Sequence, residues 1–421
     1  MISSMNWLSH IGKQASRLAS IELFRYIGPG FFVTVAFIDP GNWVTNVAAG
    51  SQYGYKLLWV ATLATVILTV VQHNAAHLGI VTGLCLSEAA SKFFRPWLRI
   101  LMLGSALAAC VSTALAELLG AAIGINMLTG APIPFSAIIS ACFAGYMLMS
   151  KNYRRLENWI MGFVGLIGLS FLFELSLTDI SWYESLRSSI IPVVPTGSMI
   201  VIMGVLGAVV MPHTIFLHSE VIQSRQWNQQ GEDIIRKQLK YEFFDTLVGM
   251  STGWAINCAM IIMAAAVFHA KGITVNELSQ VTITLRPLFG NFSSLVFALG
   301  LLFAGLSSSI VAAMAGGSIF AGIYQEPFDM RDNHSRFGIG ITLIGALIVI
   351  FFLHDPFKGI LWSQVALSLQ LPFTIVPLIL LTSSQEVMGA YANTLFGKIV
   401  LWIVGVAVIF LNGVLLWDMV T

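Results

Sequence analysis

Ala36-Phe37-Ile38-Asp39-Pro40-Gly41-Asn42 lies in the middle of an otherwise apolar segment. An aspartate at membrane depth costs roughly 2.5–3.5 kcal/mol on insertion scales, so it faces a cavity or a partner. Pro40 removes an amide donor and crowds the preceding turn, while Gly41 tolerates almost any backbone geometry. The segment therefore reads as a membrane helix broken at its midpoint, with the Asp39 carboxylate and the Asn42 amide at the break. Backbone broken at that depth survives only where it is buried in protein or lines a water-filled site. The plainer reading is a proline kink with a buried, protein-paired aspartate.

Composition agrees with a membrane protein. Of 421 residues, 57% are hydrophobic and 10% charged, with mean hydropathy +0.83, whereas soluble domains carry about 25% charged residues. A net charge of +1 offers no footprint for nucleic acid. Cys85, Cys110, Cys142 and Cys258 stand singly, without a CxxC pair or a secreted disulfide framework. The segment behind Lys13, Arg17 and Arg25 is full-length and lacks a signal-peptidase pattern, so it is expected to be the first span rather than a cleaved signal.

A span takes about 20 apolar residues. That measure gives eleven, at 24–50, 56–80, 98–125, 132–150, 156–176, 198–224, 243–269, 292–323, 337–354, 359–382 and 396–418. In the loop 225–242, Ile234, Ile235 and Leu239 suggest a short interfacial helix that keeps Arg236, Lys237 and Lys240 in water. With the N-terminus inside, sixteen of the 21 basic residues fall in cytoplasmic segments. The bias predicts a cytoplasmic N-terminus and, with an odd number of spans, an external C-terminus.

A second break is expected in the sixth span, at Gly207-Ala208-Val209-Val210-Met211-Pro212-His213. Pro40 and Pro212 each directly follow a candidate ligand, Asp39 and Met211. Interrupted helices at matching places in two halves of a chain point to an inverted repeat with its site at the midplane. The expected architecture is an all-α polytopic protein forming a single transporter domain. It comprises a 5+5 inverted repeat, about 24–176 and about 198–382, with an extra helix at about 396–418.

Asp39, Asn42, the Ala208 carbonyl and Met211 would form a mixed donor set. Oxygen ligands suit hard divalent cations, and a thioether adds nothing for Mg²⁺ or Ca²⁺. Together they fit Mn²⁺ and Fe²⁺ and would admit Cd²⁺. The plainer role for Met211 is core packing, as for most of the 17 methionines.

Asp39-Pro40-Gly41-Asn42 with Tyr53-Gly54-Tyr55, and Met211-Pro212-His213 with Leu217-His218-Ser219, resemble the Nramp family of proton-linked divalent metal transporters. Leu115-Ala116-Glu117, Gly305-Leu306-Ser307-Ser308-Ser309 and Gln370-Leu371-Pro372-Phe373 extend the resemblance across nearly the whole chain. It implies a LeuT-like fold and uptake of Mn²⁺ or Fe²⁺ into the cytoplasm through the inner membrane, with no resident cofactor and protons as co-substrate. It also implies metal ligation at Asp39, Asn42, Ala208 and Met211, with Gln370 as a further ligand and Gln364 as the alternative amide. The chain is expected to act as a monomer in the lipid bilayer.

The proton path departs from the family pattern. An Asp three residues before the span-3 Glu is Ala114 here, the usual Asn after Met-Pro-His is Thr214, and an arginine pair near span 9 is Ser335-Arg336. Losing a buried acid and a buried base together is coherent, since either alone would be an unpaired charge. Asp39, Glu117, His213, His218 and Glu220 remain as candidate proton carriers, against a reading of both histidines as neutral and backbone-bonded. His73 and His77 share a face of span 2. They read as packing or gate residues, like Gln364, or as an accessory metal or proton site. Proton movement is expected to be less tightly tied to metal than in the family at large.

An enzyme reading fails because His213 to His218 is not H-E-x-x-H. A LeuT-type organic solute symporter would not call for Asp39 beside a thioether. The nearer alternative is a divergent family member that lacks compulsory proton coupling or accepts Mg²⁺.

Overall fold

In the computed structural model, the described residues are 39–149, 175–283 and 290–420, with isolated positions between 162 and 173. The leading part of the first expected span, the fifth span, Lys151–Arg155 and Arg286 lie largely or wholly outside them. All regular structure among the described residues is helical, and eight stretches are long and apolar enough to cross a membrane. Ile133–Met149 is a shorter apolar helix.

In chain order the helices are α1 (Pro40–Tyr53), α2 (Leu58–Thr82), α3 (Leu86–Phe93), α4 (Pro96–Thr129), α5 (Ile133–Met149), α6 (Trp182–Ile190) and α7 (Met199–Val209). They continue as α8 (Pro212–Gln223), α9 (Glu232–Val267), α10 (Ser293–Ile323), α11 (Asn333–Phe352), α12 (Pro356–Ser383), α13 (Gln385–Met388) and α14 (Leu395–Val420). Several starts are written in the sequence. Prolines open α1, α4, α8 and α12, where a missing N–H costs nothing. Asp39, Asp332 and Asp355 accept backbone N–H groups at the N-caps of α1, α11 and α12.

The expected interfacial helix at 225–242 is not a separate element. After a short 3₁₀ turn at Trp227–Gln229, α9 runs unbroken through 36 residues from Glu232. No proline interrupts it, and the side chains of Ile235 and Leu239 pack with Ala76, Ile80 and Ile222 instead of entering a lipid surface.

Small residues let the central helices approach closely, as in other membrane bundles. Along the α4–α10 contact, a Cβ added at Gly305 would sit 2.5 Å from the Glu117 carbonyl oxygen. One added at Gly207 would overlap the backbone carbonyl of Gln364, which fixes α7 against α12. α9 packs on both α1 and α2. The last helix docks through Asn412, whose Nδ2 donates to the Ser368 carbonyl of α12 at 3.0 Å. On the outside, Phe337, Ile344, Phe352, Phe410 and Trp417 are exposed. So large an apolar surface suits hydrocarbon and not water.

Candidate metal site at the α1 and α8 starts

Helix α7 ends at Val209 and α8 begins at Pro212, with Val210 (φ −97, ψ 73) and Met211 (φ −75, ψ 118) outside helical geometry between them. Helix α1 begins at Pro40, capped by Asp39 in extended conformation. What precedes Asp39 lies outside the described residues.

The start of α1 meets the end of α7, just before the α8 start. Asp39 Oδ1 accepts from both the backbone N and the side-chain Nδ2 of Asn42 at 2.7 Å. Asn42 Nδ2 also donates to the Ala208 carbonyl at 3.1 Å. Asp39, Asn42, Ala208 and Met211 are all buried. Asn42 Oδ1 has no hydrogen-bond partner, leaving a buried acceptor at the junction. A buried acceptor of this kind is costly unless something else satisfies it.

The two glutamines of α12 separate. The Gln364 side chain lies against Gly41, where a Cβ would come within 2.6 Å of Nε2, and its buried Oε1 has no partner. Gln370 hydrogen-bonds away from that junction: Nε2 donates to Ser105 Oγ at 3.1 Å, and Oε1 accepts from Thr374 at 2.9 Å. Gly120 of α4 closes the other side, because any Cβ there would overlap the Pro40 ring.

Glu117 is fully buried, facing Asp39 and Ser308. His213 Nδ1 lies 3.0 Å from Thr113 Oγ1, one residue before Ala114. Thr214 Oγ1 donates to the Met211 carbonyl at 2.8 Å and accepts from Gln72 Nε2 at 3.1 Å, which ties the break to α2.

Glu220 and His218 turn to different sides of α8. Two residues apart on a helix, they face different neighbours. Glu220 Oε2 accepts from Ser318 at 2.7 Å. It also stands near Glu88 of α3, whose carboxyl is held above its usual range by burial first and by Glu220 second. His218 Nε2 instead lies 3.6 Å from Glu242 Oε1 in α9. Glu242 Oε2 is 2.5 Å from His73 Nδ1, and the His73 and His77 rings stack with centroids 6.4 Å apart.

Sequence reasoning missed Glu242. Placing the start of the seventh span at 243 left Glu242 in an aqueous loop, whereas continuous helix buries it. Its i,i+4 relation to Thr246, which donates to it at 2.6 Å, was the available signal. The Asn46–Asn257 pair, 2.6 Å apart between α1 and α9, was also unforeseen.

A family model described as natural resistance-associated macrophage protein-like matches residues 30–418. The divalent metal cation transporter MntH of Caldanaerobacter subterraneus is 38% identical over 94% of this chain and 93% of its own length. The MntH of Bacillus subtilis is 35% identical over 94% and 92%. Among solved structures, an Eremococcus coleocola manganese transporter superposes with TM-score 0.75 at 25% identity, covering 93% of this chain and 85% of that one. Mhp1, a nucleobase-cation-symport-1 transporter, shares the fold at TM-score 0.60 and 14% identity, covering 93% and 92%. The relatives are transporters, not enzymes, and the chain belongs to the Nramp family.

Proposed function

We propose that the protein imports divalent transition-metal ions, Mn²⁺ and Fe²⁺ and also Cd²⁺, across the cytoplasmic membrane by alternating access and linked to protons. The observation that carries this reading is the meeting of Asp39 and Asn42 at the α1 start with the Ala208 carbonyl at the α7 end, with buried acceptors left over on Asn42 and Gln364. A carboxylate, an amide oxygen, a main-chain carbonyl outside the helical ladder and the thioether of Met211 would match a borderline divalent cation and replace its water ligands. The names of the relatives, manganese and divalent metal transporters, point the same way.

On this reading Asp39, Asn42, Ala208 and Met211 are metal ligands, and Gln364 is the α12 amide closer to hand than Gln370. Pro40, Gly41 and Pro212 create the breaks within a LeuT-like 5+5 repeat, followed by an eleventh span. The N-terminus is cytoplasmic, the C-terminus external, and the unit a monomer in the bilayer. The test is flux into proteoliposomes holding a metal-sensitive dye and a pH dye, with Mn²⁺, Ca²⁺ or Mg²⁺ outside. Influx of Mn²⁺ but not Mg²⁺, with internal acidification, is expected. Equal influx of all three ions would defeat the selectivity assignment.

A further inference from the structure

We propose that His218, Glu242 and His73 form a proton relay beside α8, doing work that the Ala114 and Ser335 positions of this chain cannot do. The inference rests on the proton-linked reading above. Three helices bring the group together: His218 from α8, Glu242 from α9 and His73 from α2. None of the three hydrogen-bonds to Asp39, Asn42, Ala208 or Met211, so this is a separate cluster.

Its geometry has a direction. The His218 side chain is 1% exposed and Glu242 4%, while His73 is 32% exposed. The buried end lies five residues beyond His213, on the helix that starts at the metal-site break. The open end is His73, which also stacks edge-on with the exposed Phe243 ring at 5.2 Å. A buried carboxylate flanked by imidazoles is stable only while the group holds a proton, because an unpaired buried charge is strongly unfavourable.

The transfer balances without any other reactant. With the proton held by the group on Glu242 Oε2, a second proton on His218 Nε2 passes to Oε1 as the Oε2 proton leaves to His73 Nδ1. One proton enters, one departs, and the carboxyl group ends with the charge it began with. The Oε2 to Nδ1 separation is already 2.5 Å, and the 3.6 Å gap to His218 closes with a side-chain shift of under about 1 Å. Thr246 Oγ1 holds the Oε1 edge in place.

The titratable groups turned toward Glu242 are His73 and His77 of α2 and His218 of α8; Asp245 follows within one turn of α9. α1 and Trp227–Gln229 also pack on α9 and contain no carboxylate or base. Glu242 thus stands between imidazoles, with no fixed cation recorded beside it among the described residues.

Glu242→Gln tests the relay, since it keeps the size and the hydrogen bonds of the carboxyl but can neither gain nor lose the proton. Proteoliposomes with both dyes give acidification per Mn²⁺ taken up for wild type, Glu242→Gln, Glu242→Asp and His73→Gln. The expected result is a fall of about tenfold in that ratio for Glu242→Gln and His73→Gln, partly restored by Glu242→Asp. An unchanged ratio in Glu242→Gln overturns the relay. So does equal loss of influx and acidification in all three variants, which would mark Glu242 as an anchor between helices. Mn²⁺ influx without acidification in the wild type would instead defeat the proton-linked reading, and the relay with it, before any variant is compared.

Discussion

The side-chain nitrogen of Asn42 lies 3.1 Å from the carbonyl oxygen of Ala208, although 166 residues separate them. The reason is covalent. In a continuous helix the Ala208 carbonyl would accept from the amide four residues on, but that residue is Pro212, which has no N–H. Proline thus frees a carbonyl inside the bundle, and Asn42 takes it. A divalent cation arriving at the junction would find that oxygen already oriented, with Asp39 held beside it by the same Asn42.

Asp39→Ala is therefore expected to abolish Mn²⁺ influx while the protein still inserts and runs as a single species on size exclusion. Asp39 is the acidic member of the proposed ligand set, and removing it leaves only neutral donors. Influx at the wild-type level in this variant would remove the site from Asp39.

Met211→Ala should keep Mn²⁺ influx measurable, weaken Cd²⁺ strongly and let Ca²⁺ or Mg²⁺ compete. The thioether favours soft ions and gives hard ones little in return for lost water. Competition profiles identical to wild type would assign Met211 to packing, consistent with its 3% exposure alone.

How much of this was legible beforehand follows from the kind of signal involved. The helix starts at Pro40 and Pro212 are local, since proline acts on the backbone where it stands, and so are the long apolar stretches. Glu242, the Asn46–Asn257 pair and the turning away of Gln370 toward Ser105 are long-range facts. No single-chain pattern says which face of α9 meets α2. The interfacial helix failed for a related reason: amphipathic residues at 234–239 look the same whether they meet lipid or Ala76, Ile80 and Ile222. Glu220 and His218, both candidate proton carriers, turn to different neighbours because residues two apart on a helix do not share a face.

Gly207→Ala is expected to destabilise the fold by about 1–3 kcal/mol, the usual range for overpacking. The added methyl meets backbone rather than a movable side chain, so α7 and α12 must separate. Thermal unfolding in detergent would show it as a lowered midpoint, and Gly104→Ala, with nothing within 4 Å, serves as the silent control. Equal midpoints for the two variants would mean that the α7–α12 contact is looser than described.

Glu117→Gln should reduce acidification more than it reduces Mn²⁺ influx. Glu117 faces Asp39 and Ser308 from α4, buried at the side of the junction. An amide of the same shape keeps the packing and loses the proton. A parallel fall in metal flux and acidification would make Glu117 part of metal binding instead.

The two glutamines of α12 give the sharpest separation. Gln364 places an unpartnered buried Oε1 beside Gly41, one residue from Asn42, whereas both polar atoms of Gln370 are engaged by Ser105 and Thr374. If the amide that completes the metal shell is the one already at the junction, Gln364→Ala should weaken Mn²⁺ binding by about tenfold, the order expected for one lost polar contact to a charged partner. Gln370→Ala should act through the α4–α12 contact instead, lowering the unfolding midpoint and leaving binding nearly as it was. Isothermal titration with Mn²⁺ and thermal unfolding on both variants distinguish the effects. If Gln370→Ala loses affinity and Gln364→Ala does not, Gln370 must turn from Ser105 toward the metal during transport, and the ligand role passes to it.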